Sequence, residues 1–98
     1  MWRLFEDGET LGQVGSKNGI IIVDEVYDNS CRITIEKGGC TAPFSISCGV
    51  YGLMCHTAFS KRESDVKSKY QNMKQELQAF IESNDNETDW CEMFTTKW

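Results

Sequence analysis

The first part of the chain alternates apolar and polar residues in short runs, the pattern of β-strands with one buried face. Residues 2–6 and Cys31–Lys37 show this pattern, whereas Ile20–Tyr27 begins with four aliphatic residues in a row, which predicts a strand that is central or covered on both faces. Turn-forming residues separate the runs, at Asp7-Gly8, Asn18-Gly19 and residues 28–30. A weaker run over residues 11–14 adds a short return strand. The pattern therefore predicts antiparallel hairpins.

The longest run, residues 44–59, follows Pro43. Its first face carries Phe44, Ile46, Cys48 and Val50. Gly52 lies inside the run and predicts a bulge that bends the strand and resets its buried face. We expect a second apolar face beyond that point, made of Tyr51, Leu53, Cys55 and Phe59.

From residue 60 onward the apolar spacing changes to three and four, which predicts an amphipathic helix of roughly 20 residues. Its stripe consists of Val66, Tyr70, Met73, Leu77, Phe80 and Ile81. Ser60 and Glu63 have the spacing of a capping box at its start. Residues 84–86, Asn-Asp-Asn, are expected to end it.

Residues 90–98 fit two structures. Trp90, Phe94 and Trp98 recur every fourth residue, as on a helix, but the same segment also alternates as a strand does. Thr95, Thr96 and the aromatic content favour a strand or extended segment docked on the sheet.

Short connections between the runs favour an antiparallel meander. We predict a single α+β domain over residues 1–98, built on a curved sheet of four to five strands. One long helix from the C-terminal half packs on one face of this sheet. A final strand over residues 90–98 is the favoured addition, and a short helix there stays the alternative.

The charge balance excludes some partners. Ten Lys and Arg residues against 15 Asp and Glu residues give a formal net charge of −5. Nucleic acids and anionic membranes are bound mainly by clustered Lys and Arg, so we expect neither as a partner. The longest aliphatic run, residues 20–23, is too short to span a bilayer, and the N-terminus lacks the apolar run of a signal peptide. We therefore expect a cytoplasmic protein.

Thiol chemistry is the main catalytic alternative. Cys55-His56 is the one Cys–His neighbour pair, and a thiol nucleophile needs such a base. Neighbours on a strand point to opposite faces, so Cys31 or Cys48 would have to meet His56 from another strand. The cysteine spacing contains no C-x-x-C pair, so we expect no metal site, even if thiols 31, 40, 48 and 55 converged.

Asp24-Glu25 and Glu36 place carboxylates on neighbouring runs, as either an acid–base site or ordinary solvated strand charges. Glu36 has the position of an outward strand residue, whereas Asp24 interrupts an apolar face and is the one carboxylate that stands out. The glycines lack the following helix and lysine of a phosphate loop, so we expect no cofactor.

The surplus of aromatic residues suggests a function. One helix covers only one face of a sheet, and a second face bearing Tyr51, Leu53 and Phe59 needs another cover. Trp90 and Phe94 either supply that cover or join the surface. We therefore expect a small, acidic, non-catalytic binding protein that forms a homodimer or binds a protein partner.

Two alternatives stay open. One is a thiol-dependent enzyme or redox-active protein that uses Cys55 and His56. The other is a small-ligand carrier with a pocket lined by Phe44, Tyr51, Met54 and Tyr70.

Overall fold

Alternation in the first 60 residues produces five antiparallel strands that lie side by side in chain order. The computed structural model describes residues 1–39, 42–83 and 87–98. The strands are β1 (Trp2–Leu4), β2 (Ile20–Tyr27), β3 (Cys31–Lys37), β4 (Phe44–Val50) and β5 (Met54–Ser60). Two helices follow, α1 (Glu63–Glu82) and α2 (Glu87–Lys97). The predicted α+β meander with a long helix is confirmed.

Both helices cover the same face of the sheet, here called the inner face. The register pairs Ile33 with Cys48 and Ile35 with Ile46, so the aliphatic residues of β3 and β4 share this face. The predicted stripe of α1 packs on them, and its buried members are Val66, Tyr70, Met73, Leu77 and Phe80. Burial of these side chains from both layers forms the core.

The long strand predicted over residues 44–59 is wrong, because the chain reverses inside it. β4 ends at Val50, and β5 returns antiparallel to it from Met54. Gly52 has φ +76°, a conformation that glycine adopts without a steric penalty, so it forms a tight turn instead of a bulge. Leu53 lies in this turn and packs against the core.

The strand predicted over residues 90–98 is also wrong, since this segment belongs to α2. The Trp90 ring stacks between Phe80 and Phe94, at centroid distances of 4.2 and 4.8 Å. Spacing of four brings Trp90 and Phe94 to one helix face, and their burial outweighs the strand preference of threonine. The Thr95 hydroxyl donates to the Cys91 carbonyl one turn earlier.

Smaller predictions about element ends are also corrected. Residues 11–14 form no strand; Val14 alone makes a bridge, to Ile20. Ser60 is the last residue of β5, so α1 starts after Arg62 and has no side-chain cap. The predicted helix stop at residues 84–86 lies outside the described residues.

The opposite, outer face carries the buried apolar residues Ile21 and Val26 on β2, whereas Cys55 and Phe59 lie among Ser45, Ser47, Gly49 and Thr57 on β4 and β5. The expected second apolar face of Tyr51, Leu53, Cys55 and Phe59 does not form as one surface. The reason is the turn at Gly52, which sends Leu53 to the inner side. None of the helices described is long and apolar enough to cross a membrane.

Substitution of Phe94 tests the helical packing of α2. Phe94→Ala is expected to lower the free energy of unfolding by about 3–5 kcal/mol, because removal of this fully buried ring leaves a cavity in the core. The neighbour Met93 is 53% exposed, so Met93→Ala should change stability by less than about 0.5 kcal/mol. Urea denaturation measures both values. Equal losses at the two positions would contradict the helix orientation.

Candidate functional site: the outer face and free edge of the sheet

A loop between β1 and β2, residues 5–19, lies over part of the outer face and is here called the strap. Buried Asp24 holds one part of it. The Asp24 carboxylate accepts hydrogen bonds from the Arg32 guanidinium (2.8 and 2.6 Å), the Thr10 hydroxyl (2.7 Å) and the Thr34 hydroxyl (3.3 Å). The Arg32 guanidinium also lies 3.7 Å from the centre of the Phe5 ring. Asp24 thus links the strap to β2 and β3.

Burial raises the pKa of a carboxyl group. At Asp24 the hydrogen bonds from Arg32 and Thr10, the positive charge of Arg32 and the Thr34 hydroxyl outweigh burial and hold the pKa below its usual value. The carboxylate therefore stays ionised and does not act as an acid near neutral pH.

Glu36 holds the other part of the strap. Its buried carboxylate accepts hydrogen bonds from the backbone N–H groups of Lys17 and Gly19, both at 3.1 Å. Gly15 packs so closely that a Cβ atom there would lie 2.4 Å from the Glu36 carboxyl group. Asp24 and Glu36 thus both hold the strap on the sheet, and the expectation that Glu36 is an ordinary solvated strand charge is wrong.

Beside the strap, the outer face forms an open cleft of about 350 Å³. Its lining combines polar side chains such as Ser16, Arg32 and Ser47 with Ile21 and the exposed Cys55. The exposed surface of the cleft is more apolar than polar, and its polar groups lie mainly on the side of the strap.

The structure does not bring Cys55 and His56 together. Cys55 is exposed on the outer face, whereas His56 points inward, where its ring meets Phe94 edge-on at 6.2 Å. Cys48 is the cross-strand neighbour of His56, but burial raises the pKa of the Cys48 thiol to about 12. Burial likewise raises the pKa of Cys31 to about 11. The exposed thiol therefore faces away from the imidazole, and the inward thiols resist ionisation.

The five residues expected at a binding surface separate into two groups. Tyr51 and Phe59 are 52% and 41% exposed. Trp90 and Phe94 lie in the core, and Leu53 packs against it. The residues expected to line a carrier pocket do not form a common pocket. Phe44 is the first residue of β4 and Tyr51 follows its last residue, so the two lie roughly 20 Å apart.

Sequence reasoning missed the free edge of the sheet at β5. Backbone hydrogen bonds alternate in direction along an antiparallel strand. The Gly38 N–H donates to the Pro43 carbonyl at 2.7 Å, so even-numbered residues of β4 point their backbone groups towards β5. Even-numbered residues of β5 complete those pairs. The backbone groups that point away from the sheet belong to Cys55, Thr57 and Phe59.

This edge carries little protection against another strand. Residues 54–60, MCHTAFS, contain no Asp, Glu, Lys, Arg or Pro, the residues that usually protect an edge. Lys69 donates to the Phe59 carbonyl at 3.0 Å, which occupies one outward acceptor. The other edge strand, β1, has only three residues and includes Arg3. An uncharged stretch of seven residues was the sequence signal for β5, but it becomes informative only once β5 is known to be an edge.

Comparisons of this chain with protein-family models, curated protein sequences and solved structures return no match. Within the described residues, no group of three or more His, Cys, Asp or Glu side chains is arranged to hold a metal ion. Cys40, one of the thiols considered for such a site, lies outside those residues. Any function for this chain therefore has to follow from its own geometry.

Neutralising Asp24 tests its role in holding the strap. Asp24→Asn should lower the free energy of unfolding by about 2 kcal/mol at neutral pH, because hydrogen bonds to a charged group are lost. The folded pKa is lowered, so the stabilisation is present above about pH 4 and disappears as the pH falls through the folded pKa. The difference between the two proteins should therefore shrink below about pH 4. Asp7→Asn, at an exposed turn, is the control, and a pH-independent difference would contradict the assignment.

Thiol accessibility tests the cysteine geometry. Among the four cysteines that the structure describes, brief alkylation at neutral pH should modify the exposed Cys55 first. Cys31 should react more slowly by about 100-fold or more, since burial keeps it in the thiol form. Peptide mass spectrometry assigns each site, and denatured protein serves as the control. Rapid modification of Cys31 or Cys48 in the folded protein would contradict the structure.

Proposed function

We propose that the protein is a small, acidic, non-catalytic binding protein that self-associates, with β5 of one copy pairing with β5 of a second. The observation that carries this proposal is the free edge, where Cys55 and Thr57 direct backbone N–H and C=O groups away from the sheet, with no partner strand among the residues that the structure describes. Such an edge is a template for another extended chain.

Self-pairing satisfies the hydrogen-bond pattern of this edge. With Thr57 opposite Thr57 of the second copy, Cys55 lies opposite Phe59, and every outward residue meets another outward residue. Each such antiparallel pair exchanges two N–H···O bonds. The Phe59 carbonyl has two lone pairs, so it can accept from the second copy while keeping its bond from Lys69.

Side chains on the outer face favour the same arrangement. Cys55, Thr57 and Phe59 would join their counterparts in one continuous strip, with the 41% exposed Phe59 ring covering the small Cys55 side chain. Strand residues 54–60 contain no Asp, Glu, Lys or Arg, so two copies meet without repulsion between like-charged side chains of these types at the edge, despite the net charge of −5. A two-fold dimer results from this antiparallel pairing of identical strands.

The alternatives have less support. The exposed Cys55 thiol has no base beside it, because His56 points to the other face. The carrier residues Phe44 and Tyr70 belong to the core. Binding of a different protein strand at the same edge is the main competing occupant.

Proline at position 57 tests the proposal. The Thr57 N–H points away from β4, so Thr57→Pro preserves the β4–β5 ladder and removes a central donor of the dimer. We expect the wild type to approach twice its 11.2 kDa mass as its concentration rises in sedimentation analysis. Thr57→Pro should weaken dimerisation at least about tenfold, the loss of about 1.4 kcal/mol.

Two further variants separate folding defects from loss of pairing. Thr57→Lys should also weaken dimerisation, because a charge opposes its own copy across the two-fold axis. Thr96→Lys places the same change at an exposed position on α2 and should leave dimerisation intact. A wild type that stays monomeric at all concentrations, or a dimer that survives both changes at Thr57, would overturn the proposal. A mixed complex with another strand, in the absence of a dimer, would assign the edge to the competing occupant.

A further inference from the structure

The two helices leave one corner of the inner face open. α1 begins just after Ser60, at one end of β5, and its last turn reaches the opposite end of β2, where the Tyr27 hydroxyl donates to the Glu82 carboxylate. The helix therefore crosses the sheet diagonally, with one corner on each side of it. α2 fills the corner beside β5, where Phe94 meets the ring of His56.

The other corner, at the start of β2, exposes aliphatic side chains. Ile20 faces inward, because its cross-strand partner Lys37 is itself paired with Phe44 of the core. Val14 is the bridge partner of Ile20, so the two side chains are neighbours. Ile22 follows at the irregularity of β2 and is also exposed.

Two leucines extend this group along the edge of the sheet. Leu4 of β1 pairs with Glu25, whose carboxylate reaches Lys74 on α1, so Leu4 also lies on the inner face. A Cβ atom added at Gly8 would lie 3.5 Å from the Leu4 side chain and 3.7 Å from that of Leu11, which makes the two leucines neighbours. The aliphatic patch consists of Leu4, Leu11, Val14, Ile20 and Ile22, each 39–66% exposed. Exposed apolar groups of this kind are typical of protein interaction sites.

The border of the aliphatic patch towards α1 is basic. Lys37 lies directly opposite Ile20, is exposed and forms no ion pair with the described residues. Lys74 shows which flank of α1 faces β2, and Lys67 lies two helical turns earlier on that flank. Lys67 is exposed and is 3.6 Å from Glu63. Exposed pairs of this kind are weak, so Lys67 can also attract an acidic partner.

The border towards the strap is acidic. Asp7 and Glu9 flank Gly8, the residue beside which both leucines of the patch lie. Both carboxylates are exposed and form no ion pair with the described residues. The charge thus changes sign from one side of the patch to the other, which disfavours an anionic membrane and favours a partner that carries both signs.

We propose that the aliphatic patch binds an amphipathic helix of a partner protein, with an aliphatic stripe and charges of opposite sign on its two flanks. α2 shows how the inner face accepts such a helix, since Trp90 and Phe94, four residues apart, pack a helix of 11 residues into the other corner. The partner helix lies on the free side of α1. Its acidic flank faces Lys37 and α1, and its basic flank faces the strap.

Three synthetic peptides with the same leucine stripe test this proposal. One carries Glu on one flank and Lys on the other, and the remaining two carry Glu alone or Lys alone on both flanks. Amide NMR titration with the mixed peptide should shift the resonances of Leu11, Ile20 and Ile22. The mixed peptide should bind at least about tenfold more tightly than either of the others, because each of those meets like charges along one border.

Substitutions at the patch and at its border provide matched controls. The double variant Leu11→Ser, Val14→Ser should weaken binding of the mixed peptide at least about tenfold, whereas Met93→Ser, at a similarly exposed position on α2, should leave it unchanged. Lys37→Glu should abolish the preference for the mixed peptide over the Lys peptide. Lys61→Glu, at an exposed position after β5, should preserve that preference.

The outcome is separable from that of self-association, because the patch lies at the β1–β2 edge and Thr57→Pro should bind the mixed peptide as the wild type does. Equal binding of the three peptides, or no shifts at the patch, would refute the helix partner. A dimer that survives Thr57→Pro but dissociates in the double variant would assign the patch to a second copy instead. Cosedimentation with phosphatidylserine vesicles that the double variant abolishes would assign it to a membrane, and would equally refute the proposal.

Discussion

The tight turn at Gly52 is the constraint on which much of the structure depends. Its positive φ reverses the chain after β4 and sets which residues of β5 face inward. Because the turn consumes three residues, the even-numbered side chains of both strands share the inner face. A bulge in a continuous strand would have removed β5 as a separate element. The same turn makes β5 the last strand of the sheet, and so creates the free edge on which self-association is proposed.

That choice of faces explains why the two sides of the sheet differ. The large aliphatic residues of β3 and β4 all reach the inner face, where α1 and α2 cover them. On β4 and β5 the outer face carries smaller and polar side chains, and on β2 it buries Ile21 and Val26 without a helical layer. The strap lies on this face, held by charged hydrogen bonds. Asp24 and Glu36 supply them, and their burial is tolerated because their acceptors are occupied.

Local periodicity predicted the elements whose burial is one-sided. The stripe of α1 and the alternation of Cys31, Ile33 and Ile35 needed only the spacing of apolar residues. Gly52 was misinterpreted because a bulge and a turn have the same local composition, and the partner strand decides between them. In α2, contacts with Phe80 override the strand preference of Thr95 and Thr96. Neither outcome is encoded within a short window of sequence.

The candidate site was less predictable from the sequence, because it depends on which strand lies at the edge of the sheet and on where that strand ends. Phe59 and Tyr51 were identified as exposed aromatics, but Trp90 and Phe94 have the same composition and lie in the core. An uncharged run such as residues 54–60 is unremarkable in a central strand and exposed to pairing in an edge strand. The Ser60 hydroxyl was assigned to a helix cap from its spacing to Glu63. Ser60 is instead the last residue of β5 and pairs with Phe44, while Arg62 is the residue that precedes α1. The Ser60 hydroxyl therefore does not cap the helix, and it has no hydrogen-bond partner among the described residues.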